Sequence, residues 1–419
     1  AGVLQDPEVF TLPALSSLWQ TVRTEKVDDR TVRFTLREPF SPFLDYTTIG
    51  LLAKHAYESL SPAEVVTRFN ERPIGNGPMK LTQLDANHVR LEPNLFYSTR
   101  LPYLEALELW FYPDHQSLIT AEANGEIEGV SRVLPRMIAG IQNRPELQLF
   151  SSALPSYLNI TLNLNNPNAP FLQEKAVRQA LMLGLNREEL IQTVAAGQGI
   201  LAHSPILPEN WAYNADVRQY AYDPAAARAL LDQAGWVDTN GDGVREKNGR
   251  SLQFQLHTND DPLRVEMINA IARQWEEIGV RAIALPVTFA GLVNDILGPR
   301  RFEAALISWE TPGDPDPYPL WHSSQAENPG QNYGSWRNEE ADRIMEQARK
   351  ALREDERKAL YAQFQSIFAE ELPALLLYYP VYTYGVNENV HNVQIGALNH
   401  PSQRFAGFAD WYMVTRLVP

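Results

Sequence analysis

The chain contains no cysteine among its 419 residues. Thiolate zinc sites, iron–sulfur ligation and cysteine nucleophiles are excluded together, because each needs a thiolate. Basic residues are in the minority: 36 Lys and Arg against 51 Asp and Glu leave a formal net charge of −15. A nucleic-acid surface is disfavoured, since phosphate contacts need clustered cations, and the acidity serves solubility. Long hydrophobic runs are missing as well. The richest stretch, "LPALLLYYPVYTYGV", is interrupted by Pro380 and falls short of the roughly eighteen apolar residues of a membrane span. "AGVLQDPEVF" has neither the basic start nor the apolar block of a signal peptide, so the chain reads as a mature form or a fragment. The eight histidines are scattered without metal-ligand spacing. There is no G-x-S-x-G and no H-E-x-x-H, and "GNGPMK" lacks the ending of a phosphate loop. Carboxylate pairs that cleave glycosides are set by distance in space, so a hydrolase of peptides or glycosides stays as a rival reading.

A chain of this length implies at least two domains. Residues 26–37 alternate around Val32, Phe34 and Leu36, which predicts a half-buried strand after an Asp-Asp turn. "GNGPMKLTQLDANHVRLEPN" predicts a hairpin bending at Asp85-Ala86-Asn87. A strand at 105–114 and a helix ending near Gly125 complete one α/β domain. Beyond "SYLNITLNLNNPNAP", helices have readable ends. Asn186 with Glu189 reads as a capping box, and Asp223-Pro224 opens a helix that Gly235 closes. Between 251 and 309 the pattern is strand, helix, strand, helix, strand, which implies crossover connections and a parallel sheet. The "NIT" sequon at 159 reads as part of a strand. Domains joined by strands rather than floppy linkers suggest a hinge.

The run "ISWETPGDPDPYPLWHSSQ" (307–325) therefore leaves the carboxyl end of a parallel strand, where open α/β sheets bind ligands. Asp314 and Asp316 have two readings there. They stiffen a proline-rich turn by bonding nearby amides, or they wait in an aromatic cleft for a cation such as an amino terminus. Trp309, Tyr318 and Trp321, with Trp211 and Tyr213 in "PENWAYN", are core residues or the walls of that cleft. Separately, "DTNGDGVREKNG" (238–249) resembles a calcium loop. Asp238, Asn240, Asp242, the Val244 carbonyl and Glu246 would be its ligands, although the closing acid is replaced by Gly249. A polar hairpin turn is the alternative.

With "TVRFTLREPFSPFLD", "RPIGNGPMKL", "VRQALMLGLNREELI", "YDPAAARALLDQAGW", "SWETPGDPDP" and "NYGSWRNEEADRIMEQAR" in this order, the chain resembles the solute-binding proteins of ABC importers, family 5, the peptide/nickel group. The resemblance implies an α/β, two-lobed periplasmic-binding-protein-like fold (type II, Venus-flytrap) that closes on its ligand about a hinge. It places residues 71–155, with 391–419 returning, in the first lobe and 156–390 in the second, with crossings near 157–163 and 378–385. Residues 1–70 would be the remnant of a small subdomain beside the first lobe, the family's substantial N-terminal portion being absent. It further implies a non-enzymatic, monomeric, periplasmic or extracellular protein, held at the membrane through an importer or a lipid anchor. Such a protein delivers a small solute, here an oligopeptide, to an ABC importer and uses no cofactor; an oligosaccharide is the alternative cargo. The implied ligand contacts are Trp309, Glu310, Asp314, Asp316, Tyr318, Trp321 and Trp211, with Thr258 and Asn259 where dipeptide binders carry an arginine. That missing arginine counts against a strict dipeptide binder.

Overall fold

A computed structural model describes residues 18–141, 143–311 and 313–414. Residues 1–17, read above as the start of a mature chain or fragment, and 415–419, read as returning to the first lobe, lie outside the described residues. The strands described are β1 (Arg23–Lys26), β2 (Val32–Thr35), β3 (Met79–Leu84), β4 (His88–Pro93), β5 (Leu107–Trp110), β6 (Gly129–Val130), β7 (Leu147–Ala153), β8 (Ser156–Leu162) and β9 (Gly199–Leu201). They continue with β10 (Glu246–Lys247), β11 (Arg250–Ser251), β12 (Gln253–Asn259), β13 (Arg281–Val287), β14 (Ala304–Glu310), β15 (Ala374–Asn387), β16 (Val390–His391) and β17 (Tyr412–Met413).

The main sheet runs in the order β13-β12-β14-β8-β15 and is mixed. β12 is parallel to both β13 and β14, as the strand–helix alternation predicts, whereas β8 is antiparallel to β14 and to β15. The connecting helix Pro262–Glu276 shows why this part of the chain folds as it does. Asp261 accepts from the amides of Leu263 (3.0 Å) and Arg264 (3.2 Å), and proline occupies the first turn, where its missing N–H costs nothing. Ile268, Ile271 and Trp275, with Ile278 just beyond the helix, are completely buried along one stripe. The Trp275 indole donates to the Leu181 carbonyl at 2.9 Å. Gly279 ends the turn at φ +80, and a Cβ there would meet the Arg245 side chain at 2.8 Å, so both backbone and space require glycine.

β15 is the long element that joins the two cores. Its first half pairs with β8 and buries Leu375, Leu376 and Leu377. From Val381 to Asn387 it pairs instead with β7, and Tyr382, Tyr384 and Val386 pack with Val390, Phe408 and Trp411 in a separate cluster. Two shorter sheets, β3-β4-β5 and β16-β17, lie on that side. The β3–β4 bend sits where the sequence places it, with the Asp85 carboxylate accepting from the Asn87 amide at 3.0 Å.

Two local expectations change. β1 and β2 form a two-stranded hairpin in which Val32 is 55 % exposed and Phe34 37 %; Phe34 meets Trp19 and Phe43, but a cluster this small gives the alternation little burial. Asn186 does accept from the Glu189 amide, but its own N–H donates to the Gln274 side chain at 2.9 Å rather than to Glu189. Half of the capping box is thus supplied by a neighbouring helix. Asn159 of the sequon is fully buried in β8, where it bonds Thr161 and the Ile307 carbonyl.

His257 of β12 carries a consequence for pH. It is 7 % exposed, its Nε2 lies 3.2 Å from Gln255, and Nδ1 has no partner among the described residues. Burial holds the imidazole below the usual histidine range. A base depressed in the folded state favours folding above its unfolded pKa, and that contribution disappears as pH falls through the folded value. The melting temperature should therefore decline below about pH 6.5, and His257→Gln should flatten the decline. His203, depressed by burial and by Arg187, would preserve part of it. Superimposable wild-type and H257Q profiles would remove His257 as a cause.

Candidate functional site

The polypeptide leaving β14 is held on both sides. Asp314 accepts from the Arg357 guanidinium with both carboxylate oxygens at 2.8 Å, and Asp316 accepts from Arg349 Nε at 2.8 Å. Arg349 and Arg357 belong to the helices Glu339–Lys350 and Glu354–Glu371. All four side chains are largely enclosed, with Asp316 at 5 % and Arg357 at 9 % exposure. Burial raises the Asp314 carboxyl above the usual range while Arg357 opposes the shift. Neither carboxylate waits for a cation, because arginines of the same chain already neutralise both. The bonds that stiffen a proline-rich turn are also present: Asp314 accepts from the Asp316 amide and Asp316 from the Tyr318 amide.

Aromatic residues complete the clip. Arg349 lies 3.8 Å from the Tyr318 ring centroid and 5.2 Å from that of Phe40, and Arg357 lies 5.2 Å from Trp211. The Asn210 side chain donates to the Gly313 carbonyl at 3.1 Å, and a Cβ at Gly313 would stand 2.7 Å from the Asp45 carboxylate. Beside the clip lies an open groove of about 660 Å³, lined by Leu36, Phe40, Leu44, Trp211, Leu352 and Arg357 among others.

The remaining candidates separate. Trp321 is core, 2 % exposed and edge-on to Phe368 at 4.7 Å. Thr258 is fully buried and donates to the Leu306 carbonyl at 3.0 Å, so it binds the sheet together. Trp309 is half-buried and stacks on Tyr333 at 5.4 Å. Asn259 is half-buried at the carboxyl end of β12, and Glu310 is exposed at the carboxyl end of β14. These last three stand at the strand ends, whereas the two aspartates are paired with helix arginines.

What the sequence reading missed is the backbone edge of β14. The Asn163 amide donates to the Glu303 carbonyl and the Thr311 amide to the Pro155 carbonyl. Odd-numbered residues of β14 therefore turn their peptide groups toward β8, and even-numbered ones turn away. Ala304 meets β12 and the Leu306 carbonyl is taken by Thr258. On that side, away from β8, Ser308 and Glu310 have no strand alongside among the described residues. Arg264, from the helix Pro262–Glu276, reaches into this gap and donates to Ser308 Oγ at 2.7 Å. Its position three residues past Asp261, on the first turn after a strand, was the available signal.

The side chains of the calcium-like loop accept from its own amides. Asp238 accepts from the Gly241 (2.7 Å) and Gly243 (3.0 Å) amides, and Asn240 and Asp242 accept from the Asp242 and Val244 amides. Glu246 accepts from the Thr239 amide at 2.9 Å. Among the described residues no three carboxylate or imidazole groups are gathered as metal ligands. With Gly249 in place of the closing acid, the loop satisfies its own backbone and turns into the β10–β11 hairpin.

Comparison with known proteins follows this geometry. Residues 11–331 match the family described as bacterial extracellular solute-binding proteins, family 5 Middle. The oligopeptide-binding protein AppA of Bacillus subtilis is 30 % identical over 400 residues, covering 93 % of this chain and 72 % of that protein. The solved structure of B. subtilis AppA in complex with a nonapeptide superimposes with a TM-score of 0.74 at 28 % identity, covering 96 % of this chain and 80 % of that one. NikZ from Campylobacter jejuni, solved in complex with Ni(L-His), gives a TM-score of 0.79 at 25 % identity, covering 98 % and 83 %. The fold is accordingly the two-lobed α/β fold of periplasmic binding proteins, and the family comprises binding proteins rather than enzymes. A family match across most of its length, joined to 30 % identity with a member over 93 % of the chain, makes this chain a member of the bacterial extracellular solute-binding proteins, family 5.

Proposed function

We propose that the chain captures an oligopeptide between its lobes and passes it to the membrane subunits of an ABC importer. The observation that carries this reading is the free edge of β14 at Ser308 and Glu310. An extended peptide adds to such an edge through main-chain hydrogen bonds, which tolerate varied side chains. The relatives named for oligopeptide binding support the same cargo. Trp309, Glu310 and Asn259 flank the edge and would meet ligand side chains. The lobes are taken as 71–155 with 391–419, and 156–390, with 1–70 beside the first and crossings near 157–163 and 378–385. The protein works as a monomer in the periplasm or outside the cell, near the membrane by way of the importer or a lipid anchor. Among the described residues no helix is long and apolar enough to cross a membrane.

Native mass spectrometry with a mixed peptide pool tests the cargo. The expected result is added mass that leaves on denaturation and fragments as peptide. Retention of a sugar instead, or a bare protein mass at every pool concentration, would overturn the peptide reading.

A further inference from the structure

Residues 18–70 are rooted beside one lobe and fastened to the other. The helix Pro62–Glu71 leads into β3, so the chain itself ties this unit to the first lobe. Its side-chain contacts go elsewhere. Among the described residues no hydrogen bond, ion pair or ring contact joins residues 21–70 to residues 75–155 or 391–414. The short helix Ser41–Thr47 instead meets the end of the helix Glu339–Lys350 in the second lobe, where Ser41 Oγ donates to the Ala351 carbonyl. Phe40 lies 5.2 Å from the Arg349 guanidinium, which Tyr318 and Asp316 already hold at 3.8 Å and 2.8 Å. Tyr46 backs the Phe40 ring at 5.9 Å, and the Asp45 carboxylate lies against Gly313.

The attachment is narrow. Beside it the groove of about 660 Å³ lies between Leu36 and Leu44 on one side and Trp211 and Leu352 on the other. Leu44 and Leu352 stay 77 % and 78 % exposed. A permanent joint between cores buries such side chains, whereas a small, polar one leaves the two bodies free to move. A cation over a ring and one hydroxyl hydrogen bond are individually weak, so both can be made and broken without unfolding either side. The β1–β2 hairpin moves with the short helix, because the Trp19, Phe34 and Phe43 rings pack with centroids 5.6–5.8 Å apart.

We infer that residues 40–46 form a strap that grips the second lobe at Arg349 and Ala351, and that the strap unfastens before a bound solute leaves. The release step rests on the solute-binding reading above; the fastening does not. Arg349 is suited to be the hub, since Asp316 and Tyr318 fix its guanidinium from within the second lobe and leave the strap only a ring to supply.

The chain has no cysteine, so spin labels at Asp29→Cys and Lys358→Cys, both exposed, report the strap alone in the full chain. Pulsed dipolar spectroscopy should give one narrow distance. Phe40→Leu/Ser41→Ala, which keeps the apolar bulk and removes the ring and the hydroxyl, should move at least half of the molecules to a broader, longer distribution. Phe40→Tyr, which keeps the ring, should leave the narrow distance in place. A distribution that the double variant leaves unchanged, or one already broad with residues 40 and 41 intact, would overturn the strap. A fluorescein-labelled mixed peptide pool, chased with unlabelled pool, should leave the double variant at least tenfold faster than the unaltered chain. Equal release would overturn the release step and keep the peptide reading. No pool binding to the unaltered chain would overturn the peptide reading and the release step together, while the label distances still decide the strap.

Discussion

Asp314→Leu is expected to lower stability by about 3–5 kcal/mol, the cost of leaving a buried arginine without its counter-charge. Arg357 is 9 % exposed and its guanidinium has Asp314 and the Tyr361 hydroxyl as partners. Removing the carboxylate strands a cation against the Trp211 and Tyr361 rings. Arg357→Met should cost comparably, because the Asp314 carboxylate, already burdened by burial, would then stand alone. The double variant should recover most of the loss, since two charges replaced by apolar groups of similar volume often break even. Urea midpoints of the four proteins check this. A single-variant loss below about 1 kcal/mol, as for an exposed pair, would show the pair to be solvated. A loss of ligand affinity in D314L at unchanged stability would return Asp314 to the ligand-clamp role first read from its sequence position.

A loss of about 3–5 kcal/mol is also expected for Arg187→Met. Arg187 is 1 % exposed and has no carboxylate partner among the described residues; it donates to the carbonyls of Ala202 (2.6 Å), Leu376 (3.0 Å) and Tyr220 (2.9 Å). Burial brings its guanidinium down to about 10, so it remains charged at neutral pH. These bonds tie two loops to β15, the strand that joins the cores. Methionine fills similar space but abandons three buried carbonyls, each costing roughly 1–3 kcal/mol when unpaired and less where water enters. Arg187→Lys should recover only part, because an ammonium cannot span the fork of positions that a planar guanidinium reaches. A midpoint for R187M within experimental error of wild type would mean that water substitutes fully at all three carbonyls.

Both residues were in plain view in the sequence, yet neither role was. Asp314 and Arg357 are separated by 42 intervening residues, and nothing in the spacing of "GDPDP" says which helix will face it. The local signals were strong and were read correctly where they act locally. Asp223, Asp261 and Asn338 each cap the helix that follows, accepting from amides two or three residues on. Such bonds depend only on the chain within one turn. Val32 and Phe34 show the limit: their alternation was legible, but burial needs a covering layer that alternation cannot report.

The order of elements, the parallel pairing of β12 with β13 and β14, the helix caps and the family were thus determined by the sequence alone, because period, punctuation and motif order are properties of contiguous residues. The tertiary structure decided which charges are satisfied and which are not. It spent Asp314 and Asp316 on Arg357 and Arg349, folded the calcium-like loop onto its own amides, and left Ser308, Glu310 and Arg264 facing the gap beside β14. A carboxylate's role is set by the nearest opposite charge in space, and in this chain that charge comes from helices far along the sequence.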